Sequence, residues 1–306
     1  KWNNNWAGDF LNYLSKDPIE RQYVHDQLTL SMLYTYCEHF VLPLGSRQTG
    51  DQESFMAKLP GDDVQKMSQI RAAYSYMMLH PGCKMMAPDK EAPEELQKFI
   101  HDLNELYVSQ PAMYQMDDDY EGFEWIQLMK YEENVLTFLR KTENPDETLL
   151  AVCNFAAVPY ENYQVGVPFY GKYKEIFNSD AVEFGGEGVV NSRVKTAKAE
   201  ECDEREYSIK VKLPALGVSI YSCTPGKAPA RKKVTAAKTA KDKTAKDKTA
   251  GKLVRTVKAK TPAKKSVKEE KATKVEEAVK AEKKAETVKK RATVKNDNNK
   301  ADRNSK

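Results

Sequence analysis

The 306-residue chain is 40% hydrophobic and 31% charged, but these averages cover two unlike segments. Residues 1–224 carry 21 Lys and Arg against 35 Asp and Glu, a net −14, whereas residues 225–306 carry 28 against 10, a net +18. All 16 Tyr, 10 Phe and 3 Trp lie in the first segment, so the second has nothing from which to build a core. No apolar run approaches the roughly 20 residues of a membrane helix, and no basic, apolar, small-residue leader pattern occurs. Five widely spaced cysteines without a C-x-x-C pair predict a reduced, cytoplasmic protein. The chain opens on Lys1 inside an aromatic and polar run, from which a further upstream region is expected.

Taken in chain order, residues 17–40 read as one deeply packed helix. Asp17 suits the N-cap, Pro18 the first turn and Glu20 the positive helix end. The apolar run Phe40–Leu44 then predicts a short buried strand, and residues 45–50 a polar loop. A second helix is expected over 62–80, opened by Asp62 and Asp63 and stopped by Pro81-Gly82. A third is expected over about 93–108, where Leu96, Phe99, Ile100, Leu103, Leu106 and Tyr107 follow helical spacing. Beyond Pro111 the period changes from helical to alternating. Apolar and β-branched runs at 123–126, 135–140, 149–155, 163–167, 173–177, 207–213 and 217–221 are separated by turn residues. Seven such strands imply a small antiparallel sandwich, with 149–155 at its centre. From Pro225 the sequence is rich in Lys, Ala, Thr and Val, and the unit Lys-Thr-Ala-Lys-Asp occurs twice, at 238–242 and 243–247. Disorder is expected there, with Glu/Lys pairs at i, i+4 supporting at most a solvated helix within 264–290.

A series of short motifs runs in order through the first segment. They include Lys1-Trp2-Asn3 with Trp6 and Asp9, Ser15-Lys16-Asp17-Pro18, Gln27-Leu28-Thr29, Phe40-Val41-Leu42-Pro43-Leu44 and Lys58-Leu59-Pro60-Gly61-Asp62. Further on come His80-Pro81-Gly82, Asp102-Leu103-Asn104, Gly122-Phe123-Glu124-Trp125-Ile126, Val152-Cys153-Asn154-Phe155, Asn178-Ser179-Asp180 and Leu213-Pro214. In these motifs the segment resembles the C-terminal part of bacterial glycogen branching enzymes, of the α-amylase superfamily. The resemblance implies an α/β plus all-β fold. Residues 1–110 would be an incomplete remnant of a (β/α)8 barrel, residues 112–224 an antiparallel β-sandwich C-terminal domain, and residues 225–306 a disordered basic tail. It also implies a role in glycogen biosynthesis, the transfer of α-1,4-glucan segments to 6-hydroxyls, with α-glucan as partner and no cofactor.

Such a retaining transfer needs an Asp nucleophile and a Glu acid/base, with a further Asp holding the distorted sugar. The resemblance places the first two on barrel strands upstream of Lys1. The third belongs in a Ser-His-Asp-Glu run after Leu44, where this chain reads Gly45-Ser46-Arg47-Gln48-Thr49-Gly50-Asp51. Asp51 is the nearest acid but stands well into the loop, so no catalytic residue is assigned and the chain alone is not expected to catalyse. After Met86 the pattern departs again, passing through Ala87-Pro88-Asp89-Lys90 where the family continues into a final strand and a Trp-rich loop. Trp2 and Trp6 are the candidate sugar-binding residues by resemblance, with core packing the competing role for each. His25, His39, His80 and His101 lack metal-ligand spacing, so no metal site is expected. Asp117-Asp118-Asp119 reads as a solvated acidic turn, and Trp125 as core. The basic tail would meet nucleic acid or another polyanion through charge alone, without sequence preference. A non-catalytic, glucan-associated β domain with such a tail is the alternative reading.

Overall fold

The computed structural model describes residues 1–45, 54–87 and 92–228. Asp51, the Ala87–Lys90 departure beyond Ala87, and the tail from residue 229 lie outside them. The chain divides into two units, Lys1–Val234 and Thr235–Lys306, and only the first is described below.

The chain starts with helix α1, Asn4–Ser15, whose first turn is capped by the Asn3 side-chain Oδ1 accepting from the Trp6 N–H. The single helix expected over 17–40 is instead three 3-10 stretches, Arg21–Leu28, Leu30–Leu33 and Thr35–Cys37. The backbone leaves helical geometry at Val24, with φ −129° and ψ 21°. At the next junction the Thr29 hydroxyl donates to the Asp26 carbonyl, and the Ser31 hydroxyl bonds the His80 ring. Strand β1, Val41–Gly45, follows; then come α2, Asp63–Leu79, strand β2, Cys83–Ala87, and α3, Glu94–Ser109. Strand β2 is an addition to the sequence reading. It pairs with β1 in parallel, Val41 opposite Cys83 through Gly45 opposite Ala87. Trp2 forms a further parallel bridge to Val41.

Eight further strands follow among the described residues: β3 Phe123–Lys130, β4 Val135–Arg140, β5 Leu149–Asn154, β6 Tyr160–Val167, β7 Gly171–Asn178, β8 Lys195–Thr196, β9 Tyr207–Leu213 and β10 Gly217–Pro225. Six of them form an antiparallel sheet in the order β3-β4-β5-β10-β7-β8, and β6 pairs with β9 in a second sheet. The seven strands expected from sequence are all present, and β5 is central as its unbroken apolar run implies.

Alternation along β4, β5 and β10 assigns their side chains to two cores. Leu136, Phe138, Leu149, Ala151, Cys153, Val218 and Ile220 join a cluster with Trp6, Phe10, Tyr13 and Tyr76 of the helical segment. Val135, Leu139, Leu150, Val152, Tyr221 and Cys223 join one with Val165 and Val167 of β6 and Ile209, Val211 and Leu213 of β9. The six-stranded sheet is therefore a middle layer, helices on one face and the β6–β9 pair on the other. Residues 1–110 and 112–224 share a core rather than standing as separate domains. Tyr76 of α2 packs on Phe138 of β4, and Phe99 of α3 on Phe177 of β7. No helix among the described residues is long and apolar enough to cross a membrane.

Candidate functional site

The candidate site is built on β1, β2 and the chain start. Val41 donates its N–H to the Lys1 carbonyl at 2.7 Å, and Asn3 donates to the Val41 carbonyl at 2.9 Å. Residues 1–3, β1 and β2 thus lie side by side and parallel. Each is followed by a helix, α1, α2 and α3 respectively, giving three successive β-α units. In such arrangements chemistry gathers where the loops leave the C-terminal strand ends. Gly45 pairs with Ala87, so the loops after β1 and β2 depart from the same level.

The two sequence candidates part company here. Trp2 is 57% exposed, whereas Trp6 is 1% exposed. The Trp6 ring packs against Phe10 at 5.4 Å between centroids and edge-on to His80 at 5.8 Å, leaving it no face for a sugar. Trp125 also packs in the aromatic core, against Phe123 and Phe138. Its neighbour Glu124 is paired with Lys141 at 2.9 Å and Arg205 at 2.5 Å. Partial burial works to raise the Glu124 pKa, but these two cations overcome it and hold the carboxyl below its usual range, so it is not a proton donor. Asp9 on α1 moves the other way, raised first by burial and then by Asp26.

Behind the parallel strands lies a buried polar cluster. His80, at the end of α2, bonds Ser31 at 2.8 Å, and burial pushes its pKa down to about 3. Lys84 of β2 donates to the carbonyls of His80 and Gly82 and meets Asp117 at 3.3 Å. Burial lowers the Lys84 ammonium to about 8 against the pull of Asp117. Asp117 also binds Arg140 and accepts from the Gly82 N–H at 3.0 Å. This corrects, at Asp117 alone, the reading of residues 117–119 as a solvated acidic turn; Asp118 and Asp119 are exposed as expected. Asp117 is a half-buried tie between β2 and β4, Asp118 meets His39 at 2.8 Å, and Asp119 accepts from the Glu121 N–H at 2.9 Å. Nothing in the spacing of three consecutive aspartates marks the first as different. Among the described residues, His101, Asp102 and Glu105 of α3 bring possible metal-ligand atoms within 4.8 Å of one another. Lys98 already engages Asp102 there, at 2.6 Å.

Comparison with known proteins decides the lineage. Residues 125–224 match the family model described as alpha amylase, C-terminal all-beta domain. The 1,4-alpha-glucan branching enzyme GlgB of Oceanobacillus iheyensis is 36% identical over 243 residues, covering 72% of this chain and 38% of the relative. That of Aquifex aeolicus is 39% identical over 240 residues, covering 71% and 38%. The body of the chain belongs to the branching-enzyme family. It spans 38% of the length of these curated relatives. A solved Anoxybacillus alpha-amylase matches at 13% identity and a TM-score of 0.46, over 73% of this chain and 47% of that one. The two segments where the resemblance is expected to lapse begin beyond β1 and β2, whose ends Gly45 and Ala87 are paired.

Proposed function

We propose that this chain is the C-terminal portion of a 1,4-alpha-glucan branching enzyme that does not transfer glucan by itself. The observation that carries the reading is the run of three β-α units with parallel strands, joined through a shared core to an amylase-type all-β domain. These units would be the closing part of a (β/α)8 barrel. A barrel takes eight strands, and its catalytic carboxylates stand at several strand ends. The residues matching this family's pattern include neither the nucleophile nor the acid/base, and the Ser-His-Asp-Glu run is replaced by residues 45–51. Trp2 is the residue we assign to glucan contact, since its ring is exposed beside the parallel strands. The five cysteines are all unpaired, which supports a reduced, cytoplasmic setting.

Two measurements test this reading. The purified chain is expected to leave the iodine-stained absorbance of amylose unchanged, yet to be retarded in a native gel containing glycogen, less so as Trp2→Ala. Branching by the chain alone overturns the first part, and migration indifferent to glycogen overturns the second. The net +18 of residues 225–306 favours a second activity, non-specific polyanion binding through that segment. A mobility shift of duplex DNA should weaken steeply between about 50 and 200 mM salt and vanish when residues 225–306 are removed. A shift that survives the truncation refutes it.

A further inference from the structure

A trough of about 960 Å³ runs between α3 and β7, lined on the strand side by the consecutive residues Glu175, Ile176, Phe177 and Asn178. Glu175 stands opposite Tyr221 in the register and shares the face that meets β6 and β9, whereas Ile176 and Phe177 pack toward the helices. A cavity touched from both faces of a strand lies along its edge. That edge is open. Strand β8 pairs with β7 only at Lys172 and Tyr173, so from Lys174 to Phe177 the outer backbone has no partner among the described residues. An unpaired edge is a template for another extended chain. The adjoining wall is apolar. The Phe184 ring lies 5.4 Å from Phe99 and 5.5 Å from Phe177 between centroids, and Val108 of α3 is 72% exposed. The rest of the lining is acidic: Asp102, Glu105, Glu175 and Glu183 contribute carboxylates, and no Lys or Arg lines the trough. Lys98 engages Asp102 from outside the lining, and His101 meets Glu105 at 3.5 Å. Glu175 is held by neutral donors instead, the Asn191 N–H and side-chain amide at 2.8 Å each and the Asn178 amide at 3.2 Å. They aim its carboxylate without cancelling the charge.

We propose that this trough receives an extended, lysine- or arginine-bearing segment of another protein, added as a strand to the open edge of β7. The backbone of that segment pairs with residues 174–177, its apolar side chains cover Val108 and Phe184, and its cations meet Glu105, Glu175 and Glu183. Charge complementarity selects the partner, since an acidic segment would set like charges against every carboxylate of the lining. A polyamine would satisfy the carboxylates but leave the strand edge unpaired.

The test is fluorescence anisotropy of the full chain with a labelled peptide of about ten alternating Lys and Val residues, against a Glu-Val peptide of the same length, in about 150 mM salt. Only the Lys-Val peptide is expected to bind, and amide hydrogen exchange over residues 174–178 should slow in the complex. Glu105→Lys combined with Glu183→Lys, both exposed, should weaken binding at least about tenfold while the circular dichroism spectrum stays unchanged. The same charge change made as Glu132→Lys with Glu143→Lys, in the turns on either side of β4, should leave the affinity unaltered. Failure of the Lys-Val peptide to bind, equal binding of both peptides, equal weakening by both double variants, or unchanged exchange over 174–178 overturns the proposal. So does complete displacement by spermine, which would make the trough a polyamine site. Self-association of the chain that disappears in Glu105→Lys with Glu183→Lys would make a second copy the occupant and overturn it as well.

Discussion

Arg21, Arg71 and Arg140 are all buried, and each directs its guanidinium to a carbonyl across the boundary between the helices and the sheet. Arg21 donates to the Phe155 carbonyl at 2.9 Å, Arg71 to that of Ser179 at 2.7 Å, and Arg140 to that of Leu79 at 2.7 Å. A buried cation without its partners is severe, and so is the partner left behind. Arg140→Ala would leave Asp117 with only Lys84 and the Gly82 N–H and take the donor from the Leu79 carbonyl at the end of α2. It is expected to lower stability by about 3–5 kcal/mol, read from urea unfolding. His80 supplies the pH dependence. Its pKa is about 3 in the folded chain and about 6.5 when unfolded, so between those values the unfolded state binds the extra proton. Stability should therefore fall as the pH drops below about 6.5, by about 2 kcal/mol from this residue at pH 5. His80→Gln should flatten that slope without removing it, because burial depresses His25 in the same direction. A slope unchanged in the variant would refute the assignment.

Among the elements, α2 shows the clearest link from sequence to structure. Asp62 accepts from the Gln65 N–H at 2.9 Å, and the Gln65 side chain accepts from the Asp62 N–H at 3.2 Å, closing a reciprocal cap. Asp62→Ala should cost about 0.5–2 kcal/mol in the same urea titration. This helix, α3 and all seven long strands after residue 120 were legible because period and stop signals agree along them. The elements that escaped have conflicting local signals. Strand β2 reads Cys-Lys-Met-Met-Ala, with no β-branched residue, and exists through its pairing with β1. Helix α1 begins Asn-Asn-Trp-Ala-Gly, a weak helix former held by the Asn3 cap and by burial of Trp6, Phe10 and Tyr13. Over 17–40 the apolar pattern was real, but Arg21 reaches the carbonyls of Leu14, Lys16 and Phe155, a tertiary demand that no periodicity encodes. The candidate site was legible in family and not in geometry. Trp2 and Trp6 stand four residues apart, and only the fold separates a solvent-facing ring from a core one.

At the scale of the whole body, the shared core predicts one unfolding event. Phe10 and Tyr76 interleave with Phe138 and Phe155 across the layer boundary, so neither layer keeps a closed interior alone. Unfolding followed by tryptophan fluorescence and by far-ultraviolet circular dichroism should give coincident transitions. Two separated transitions would show that the helices and the sheet are independent. Residues 112–224 expressed alone should aggregate or remain unfolded, because Leu136, Phe138, Val218 and Ile220 would then face water.

The position of β10 sets a timetable for this protein's birth. It is the last strand in the body, yet it lies between β5 and β7 in the middle of the sheet. On the ribosome the helices, β3, β4 and β5 emerge first and must wait with an open sheet edge until residue 225 is out. Pairings so distant in sequence form slowly, and a nascent chain holding an unfilled strand position is exposed to wrong partners. Premature termination anywhere before β10 would therefore release not a shorter version of the same fold but a chain missing the strand that joins its two halves.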